Sequence, residues 1–258
     1  MKRKVRITPL EMMVYASSKE LKDGERVFVG QGYPLVPAVF AKKFYAPNLR
    51  LIMEGGVYDF EPYRTNWHIA DLTGAKGAMC CCEFATVFAE WLYEGYIDTG
   101  FLGAVQVDKY GNINSTVVGD YFNPILRMAG SGGAHEIGAF AKKIITLKPH
   151  GKFVKKLDYF TTPGYLDGYE SRYEAGLPEG TGPAAVFTKQ GVFRFDKVTK
   201  ELYLDSIYPW VSVEEIKKEV PWNLKIAENV KTEKLPSDEE LRFLREFAPL
   251  TAFRRDYY

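Results

Sequence analysis

Helix and strand patterns alternate along the first part of the chain, and this alternation constrains the fold more than any other feature of the sequence. The patterns predict a helix over 8–23, a strand over 26–29, a second helix from Pro34 and an apolar strand over 48–53. Strands joined by helical crossovers pair in parallel, because each crossover returns the chain to the same edge of the sheet. The sequence therefore predicts an α/β fold with an open, mostly parallel sheet flanked by helices.

Capping-box sequences mark three helix starts. In each, a Thr or Ser is followed three residues later by a Glu, so that the two side chains can bond each other's backbone amides. The pairs are Thr8 with Glu11, Ser212 with Glu215, and Ser237 with Glu240. The last two predict helices over 213–220 and 238–247, and Gly24 supplies a stop for the first helix.

Further strands are predicted over 101–107 and 144–147, and a two-residue turn joins apolar runs at 184–188 and 191–195. Short connections of this kind favour hairpins, so this later part of the sheet, with a third strand near 201–204, is expected to be antiparallel. The chain shows no internal repeat, low-complexity tract or long linker. We therefore expect one domain over 1–258.

Composition excludes several classes of protein. Lys and Arg number 34 against 33 Asp and Glu, a formal net charge of +1, so no global field attracts nucleic acid. No apolar run reaches the roughly 18 residues of a membrane helix. The N-terminus shows no signal-peptide pattern, and the only cysteines, Cys80, Cys81 and Cys82, are consecutive and cannot form a disulfide framework. These features predict a cytoplasmic protein that binds neither nucleic acid nor membrane.

The cysteines, with only three histidines in the chain, give little sign of chemistry. No histidine is placed by sequence to activate a thiol, so we interpret the cysteines as small apolar residues of the interior rather than as a redox or nucleophilic site. The same scarcity argues against a metal centre or a Ser-His-Asp triad. Gly30 and Gly32 lack the third glycine of a dinucleotide fingerprint, so a nicotinamide cofactor is not expected.

Two features could carry chemistry. Glu54 directly follows an apolar strand and precedes two glycines, at the strand end where α/β proteins bind ligands. The glycine-rich loop over 130–134 could present backbone amides to an oxyanion. Each also has a plain structural interpretation, a solvated turn glutamate in the first case and a tight connection in the second.

Taken together, an ordered series of segments resembles the beta subunits of family I coenzyme A transferases, particularly those of the glutaconate CoA-transferase type. The resemblance extends from about residue 8 to the C-terminal segment. It is carried by 29–35 (VGQGYPL), 45–47 (YAP), 54–56 (EGG), 106–116 (QVDKYGNINST) and 130–134 (GSGGA).

This resemblance implies the CoA-transferase type of α/β fold and an alpha subunit as partner, commonly in an α2β2 heterotetramer. Glu54 falls on the family's nucleophile, which forms first an acyl-glutamyl anhydride and then a glutamyl-CoA thioester. The backbone amides of Gly132, Gly133 and Ala134 match the loop expected to stabilise the oxyanion. Coenzyme A enters as a substrate, and neither a tightly bound cofactor nor a metal is implied.

Within the matched segments, Gln31, Gly55 and Gln106 are the residues expected to line a substrate pocket. The sequence departs from the glutaconate type at Gly55, at the three cysteines and over 83–96. It therefore does not identify the acyl group that is transferred. Two alternatives remain: a CoA-thioester hydrolase subunit of the same fold, and a non-catalytic subunit that stabilises its partner. The intact glutamate and glycine loop favour transfer.

Overall fold

The computed structural model describes residues 7–30, 32–65 and 72–248. The strands are β1 (Arg26–Val29), β2 (Arg50–Met53), β3 (Val57–Tyr58), β4 (Cys80–Cys81), β5 (Thr99–Gly103), β6 (Gln106–Val107), β7 (Ile113–Asn114), β8 (Val117–Gly119), β9 (Pro124–Arg127), β10 (Lys143–Lys148), β11 (Lys152–Phe153), β12 (Pro183–Thr188), β13 (Gly191–Phe195), β14 (Leu202–Ile207) and β15 (Lys225–Thr232). The α-helices are α1 (Pro9–Ser18), α2 (Leu35–Phe44), α3 (Ala134–Phe140), α4 (Ser171–Glu174), α5 (Val213–Glu219) and α6 (Asp238–Phe247). A 3₁₀ turn spans Leu72–Ala75, and a π-helical segment spans Thr86–Leu92.

Ten of these strands form one sheet, in the order β15-β14-β13-β12-β10-β5-β1-β2-β3-β4. Its centre, from β12 to β2, is parallel throughout. The antiparallel pairs are β12 with β13 and β13 with β14 on one side, and β2 with β3 and β3 with β4 at the opposite edge. The predicted fold class, a mostly parallel sheet with a later antiparallel portion, is confirmed.

The helices lie on both faces of this sheet, and successive strand residues point alternately into two hydrophobic cores. On β1, Val27 and Val29 pack into the core formed with α1, α2 and α6, whereas Phe28 packs into the core formed with α3, α5 and the π-helical segment. This alternation follows from the two-residue period of a strand. Within the described ranges, no helix is long and apolar enough to cross a bilayer.

All three predicted capping boxes are present, with both reciprocal hydrogen bonds in each. The first helix, however, ends at Ser18 and not at residue 23. The hydroxyls of Ser17 and Ser18 donate to carbonyls three residues back, and the next amides bond in the same three-residue pattern. These contacts tighten the chain out of the α-helix, and Gly24 lies in a later turn.

The predicted strand over 101–107 is also different in the structure. It divides into β5, which lies at the centre of the large sheet, and β6, which joins a separate three-stranded sheet with β7 and β11. The amide of Ala104 bonds to Leu147 of β10, whereas the amide of Val105 bonds to Asn114 of β7. The chain therefore changes sheets between two adjacent residues, which a continuous apolar pattern does not reveal.

One lysine is buried at the end of a central strand. Lys148, the last residue of β10, is 7% exposed. Its Nζ lies 4.6 Å from the centre of the Phe153 ring and donates to the Gly151 carbonyl at 3.4 Å. Burial, aided by the positive charge of Lys189 and opposed by Glu219, lowers the pKa of Lys148 to about 8.

This lowered pKa makes the stability of the fold depend on pH. Between about pH 8 and the ordinary lysine pKa of 10.5, the unfolded chain binds more protons than the folded chain, so the free energy of unfolding rises with pH. Below about pH 8 both states are protonated, and the full cost of burying the charge is present. We therefore expect Lys148→Met to stabilise the protein more at about pH 7 than at about pH 9.5.

Urea unfolding of the wild type and the variant at both pH values measures this difference. Lys152→Met serves as the control, because it removes an exposed lysine close to Lys148 in sequence. An equal effect of Lys148→Met at the two pH values would contradict the account.

Candidate active site

Glu54 lies at the carboxyl end of β2, in the tight turn that leads into β3. Met53 pairs with Val57 across this turn, so Glu54, Gly55 and Gly56 form its three-residue loop. Glu54 is half-buried and Gly55 is exposed. The carboxylate therefore lies at the carboxyl ends of the parallel strands, as the sequence predicts.

Gly56 holds this turn in place. Its φ is +85°, its amide donates to the Met53 carbonyl at 2.9 Å, and its carbonyl accepts from the Cys82 amide at 2.8 Å. A Cβ at this position would lie 2.0 Å from the Cys82 carbonyl oxygen. Both the backbone conformation and the close approach of the neighbouring chain segment therefore require glycine here.

The glycine-rich loop approaches the Glu54 carboxylate from another part of the chain. A Cβ placed on Gly132 or on Gly133 would lie 3.6 Å from Glu54 Oε1 in either case. The loop is anchored at Gly130, whose amide donates to the Ser115 carbonyl and whose carbonyl accepts from the Ser115 hydroxyl. The structure thus brings together Glu54, Gly132 and Gly133, which are far apart in sequence.

The backbone amides of the loop differ in their hydrogen bonds. The Ala134 amide donates to the Ser131 carbonyl at 2.8 Å and is therefore engaged within the loop. Among the hydrogen bonds of the described residues, none is donated by the amides of Gly132 and Gly133. These two amides belong to residues beside Glu54 and have no acceptor among the described residues. Ala134 is the first residue of α3, and its part in stabilising an oxyanion stays a prediction.

Helix α3, which follows the loop, is short and is held by close contacts on several sides. A Cβ on Gly100 of β5 would lie 2.4 Å from Ile137, and a Cβ on Gly138 would lie 2.2 Å from Thr162. The buried guanidinium of Arg172 donates to the carbonyls of Gly138 and Ala139 at the carboxyl end of the helix. Burial lowers the pKa of Arg172 to about 10.

The remaining predicted pocket residues are placed differently. Gln31 lies outside the described residues. Gly55 is exposed at the tip of the Glu54 turn. Gln106 is buried, accepts from Asn114 and from the amide of Asp158, and donates to the Asp158 carboxylate. Its side chain therefore braces the small sheet, and its part in a substrate pocket stays a prediction.

The expectation that the cysteines are interior residues is wrong. Cys80 and Cys81 form β4, the last strand of the large sheet, and both are exposed. A two-residue strand at a sheet edge has little to cover it on either side, which is the reason for the error. Cys82 is partly buried against Gly56, and burial raises the pKa of its thiol.

Sequence reasoning missed two features beside the glycine loop. A cleft of about 650 Å³ borders it, lined by loop residues, by His135 and by the hydroxyl and aromatic residues Thr116, Thr161, Tyr159 and Phe160. Phe88, in the π-helical segment, lies against Gly133. Contacts of this kind join distant parts of the chain and leave no local sequence pattern.

Comparison with known proteins bears on this site. The family model for coenzyme A transferases matches residues 10–219. The beta subunit of the glutaconate CoA-transferase from Acidaminococcus fermentans is 36% identical over 246 residues, 93% of this chain and 91% of that protein. The corresponding subunit of the 3-oxoadipate CoA-transferase from Pseudomonas knackmussii is 37% identical over 244 residues, 94% of each.

The three-dimensional structures are also similar. The crystal structure of the glutaconate coenzyme A-transferase from Acidaminococcus fermentans superposes on this chain with a TM-score of 0.87 and 34% sequence identity. The superposition covers 94% of this chain and 95% of that one.

The Gly56 contact can be tested by measuring stability, because Gly24 has nearly the same φ and no neighbouring atoms near its Cβ position. Gly24 has a φ of +83° and nothing within 4 Å of its Cβ position. Gly24→Ala should cost only the strain of a left-handed residue, about 1–2 kcal/mol. Gly56→Ala should cost about 1–3 kcal/mol more, because the added methyl group overlaps the Cys82 carbonyl.

Urea denaturation of the two variants measures both costs. Equal destabilisation would contradict the claim that Cys82, the residue after β4, packs directly against the Glu54 turn.

Proposed function

Because this chain belongs to the coenzyme A transferase family and corresponds to its beta subunit, we propose that it carries the nucleophile of the reaction, Glu54. The proposed reaction moves CoA from an acyl-CoA to a free carboxylic acid. Coenzyme A is then a substrate of the site and not a resident cofactor.

One observation carries the proposal. Oxygen Oε1 of Glu54 lies 3.6 Å from the Cβ positions of both Gly132 and Gly133, whose amides have no acceptor in the described structure. A nucleophilic carboxylate and two free backbone donors in one place are the parts that acyl transfer requires. A solvated turn glutamate would not need this arrangement.

The proposed chemistry begins with attack of the Glu54 carboxylate on the thioester carbonyl carbon. The tetrahedral oxyanion accepts hydrogen bonds from the free loop amides, and its collapse breaks the carbon–sulfur bond. This step releases CoA thiolate and leaves an acyl-glutamyl anhydride. The thiolate then attacks the glutamyl carbonyl and expels the acyl group as a carboxylate, which leaves a glutamyl-CoA thioester. An acceptor carboxylate reverses both steps.

Both intermediates are activated acyl derivatives, so water must be kept out. Glu54 is only half-buried, Gly55 is exposed, and the neighbouring edge strand β4 is uncovered in this chain. We therefore include an alpha subunit in the proposal, with α2β2 as the expected assembly, and assign to it the closure of the site. The two relatives described above are each named as one subunit of their enzyme, which supports a second chain.

The acyl group proposed for first tests is that of a dicarboxylic acid. Glutaconate and 3-oxoadipate, after which the two relatives are named, are both dicarboxylates. The cleft beside the glycine loop is lined by Thr116 and Thr161, whose hydroxyls bond each other, and by His135, whose Nδ1 contacts Glu136. We assign the remaining hydroxyl hydrogen of this pair and Nε2 of His135 to a second, distal carboxylate.

The test compares Glu54→Gln with the wild type in complex with the alpha subunit. The assay measures CoA transfer from glutaconyl-CoA or 3-oxoadipyl-CoA to acetate. Glutamine keeps the size of the side chain but is not a nucleophile, so kcat should fall on the order of 10³-fold or more. Glu83→Gln is the control, because Glu83 is an exposed carboxylate close to the same turn and should be dispensable.

Two outcomes would overturn the proposal. If Glu54→Gln retains wild-type transfer, the chain does not supply the nucleophile and acts as a stabilising subunit. If the wild type releases CoA at the same rate with and without acetate, the complex is a thioester hydrolase.

A further inference from the structure

Phe88 occupies the space where a side chain of residue 133 would lie. A Cβ built on Gly133 would be 2.3 Å from Phe88 Cζ and 2.4 Å from Phe88 Cε1, and 3.6 Å from Glu54 Oε1. The edge of the ring and the carboxylate oxygen therefore face the same point of the loop from two sides. No residue between 83 and 96 belongs to the segments that carry the family resemblance.

Gly133 does not require glycine for its backbone conformation. Its φ is −83° and its ψ is 7°, values that any residue can adopt. Gly132 differs, because its φ of +47° favours glycine irrespective of its surroundings. At 133, therefore, the ring of Phe88 is the obstacle to a side chain.

The ring itself is held firmly. Phe88 is 7% exposed, stacks on Phe84 with ring centres 4.4 Å apart, and meets Phe28 of β1 edge to face at 5.6 Å. It lies in the π-helical segment Thr86–Leu92, and π-helical turns are frequently found at functional sites. The ring therefore lies between β1 and the glycine loop. The neighbouring strand β2 ends at Met53, directly before Glu54.

We infer that Phe88 is a positioning residue for the reaction: its ring sets the distance between the glycine loop and Glu54 and closes that side of the carboxylate to water. The inference rests on the proposed function, in which the amides of Gly132 and Gly133 stabilise the oxyanion. A misplacement of about 1 Å costs on the order of 10²-fold in rate. Removal of the ring, which lets the loop move, should therefore lower kcat measurably.

The single variants test the two parts of this role. Phe88→Ala should lower kcat about 10-fold to 100-fold with a smaller change in KM, because the loop loses its support while the substrate contacts stay. It should also raise the fraction of acyl-CoA that is hydrolysed instead of transferred. Phe153→Ala is the matched control, because Phe153 is equally buried and also packs on two aromatic rings. It should reduce thermal stability without changing this fraction.

A size exchange tests the contact itself. Gly133→Ala should lower kcat, because the methyl group overlaps the ring and must displace either the ring or the loop. In the double variant Gly133→Ala/Phe88→Ala the overlap is absent, so kcat should be at least about 10-fold higher than in Gly133→Ala alone. If the two substitutions had only general structural effects, their free-energy costs would add, and the double variant would be slower than each single variant.

The outcomes separate this inference from the proposed function. Loss of transfer in Glu54→Gln together with wild-type kcat and hydrolysis fraction in Phe88→Ala would overturn the inference alone. Wild-type transfer in Glu54→Gln would overturn the proposed function. A double variant slower than either single variant would also contradict the contact, and circular dichroism of each complex identifies any variant that does not fold.

Discussion

Glu54 lies so close to two adjacent glycines of one loop that a methyl group on either would contact the carboxylate, and the surrounding structure maintains this distance. The carboxylate comes from the turn after β2, and the glycines come from the loop before α3. These parts are far apart in sequence. Their separation is set by packing, through Phe88, through Cys82 after the edge strand β4 against Gly56, and through the contacts of α3.

The contacts of α3 show why tertiary packing, and not the helix itself, sets the position of the glycine loop. A helix of seven residues has little stability of its own, because nucleation is costly and few hydrogen bonds follow. Its position depends on the close approaches at Gly100 and Gly138 and on the Arg172 guanidinium at its carboxyl end. The guanidinium donates to carbonyls and a hydroxyl, so hydrogen bonds offset part of the cost of burying its charge. The rest of this cost is expressed in the lowered pKa, and the buried Nε has no partner among the described residues.

Much of the fold could be predicted from the sequence, because its signals are local. The capping boxes at Thr8, Ser212 and Ser237 place three helix starts correctly, and the hairpin at 183–195 follows from its short turn. The end of the first helix and the division of 101–107 into two strands could not be predicted in this way. They depend on serine hydroxyls that compete for carbonyls and on partners more distant in sequence.

Only part of the candidate site could be predicted from local sequence patterns. Glu54 could be found, because an apolar strand followed by a carboxylate and two glycines is a local pattern. The pairing of Glu54 with Gly132 and Gly133 required a resemblance to a family, since the segments lie far apart. Phe88 left no signal, because its contact with Gly133 joins segments distant in sequence. The exposed cysteines left none, because exposure at a sheet edge depends on which strand is outermost.

The central claim is that Glu54 becomes covalently bound to CoA, and borohydride reduction tests it most directly. The complex with the alpha subunit is incubated with glutaconyl-CoA without an acceptor, reduced, digested and analysed by peptide mass mapping. A glutamyl-CoA thioester is reduced to a primary alcohol, so the account predicts this conversion at Glu54 alone. An enzyme that catalyses transfer while Glu54 stays unmodified, or that is reduced at another carboxylate, would contradict the account.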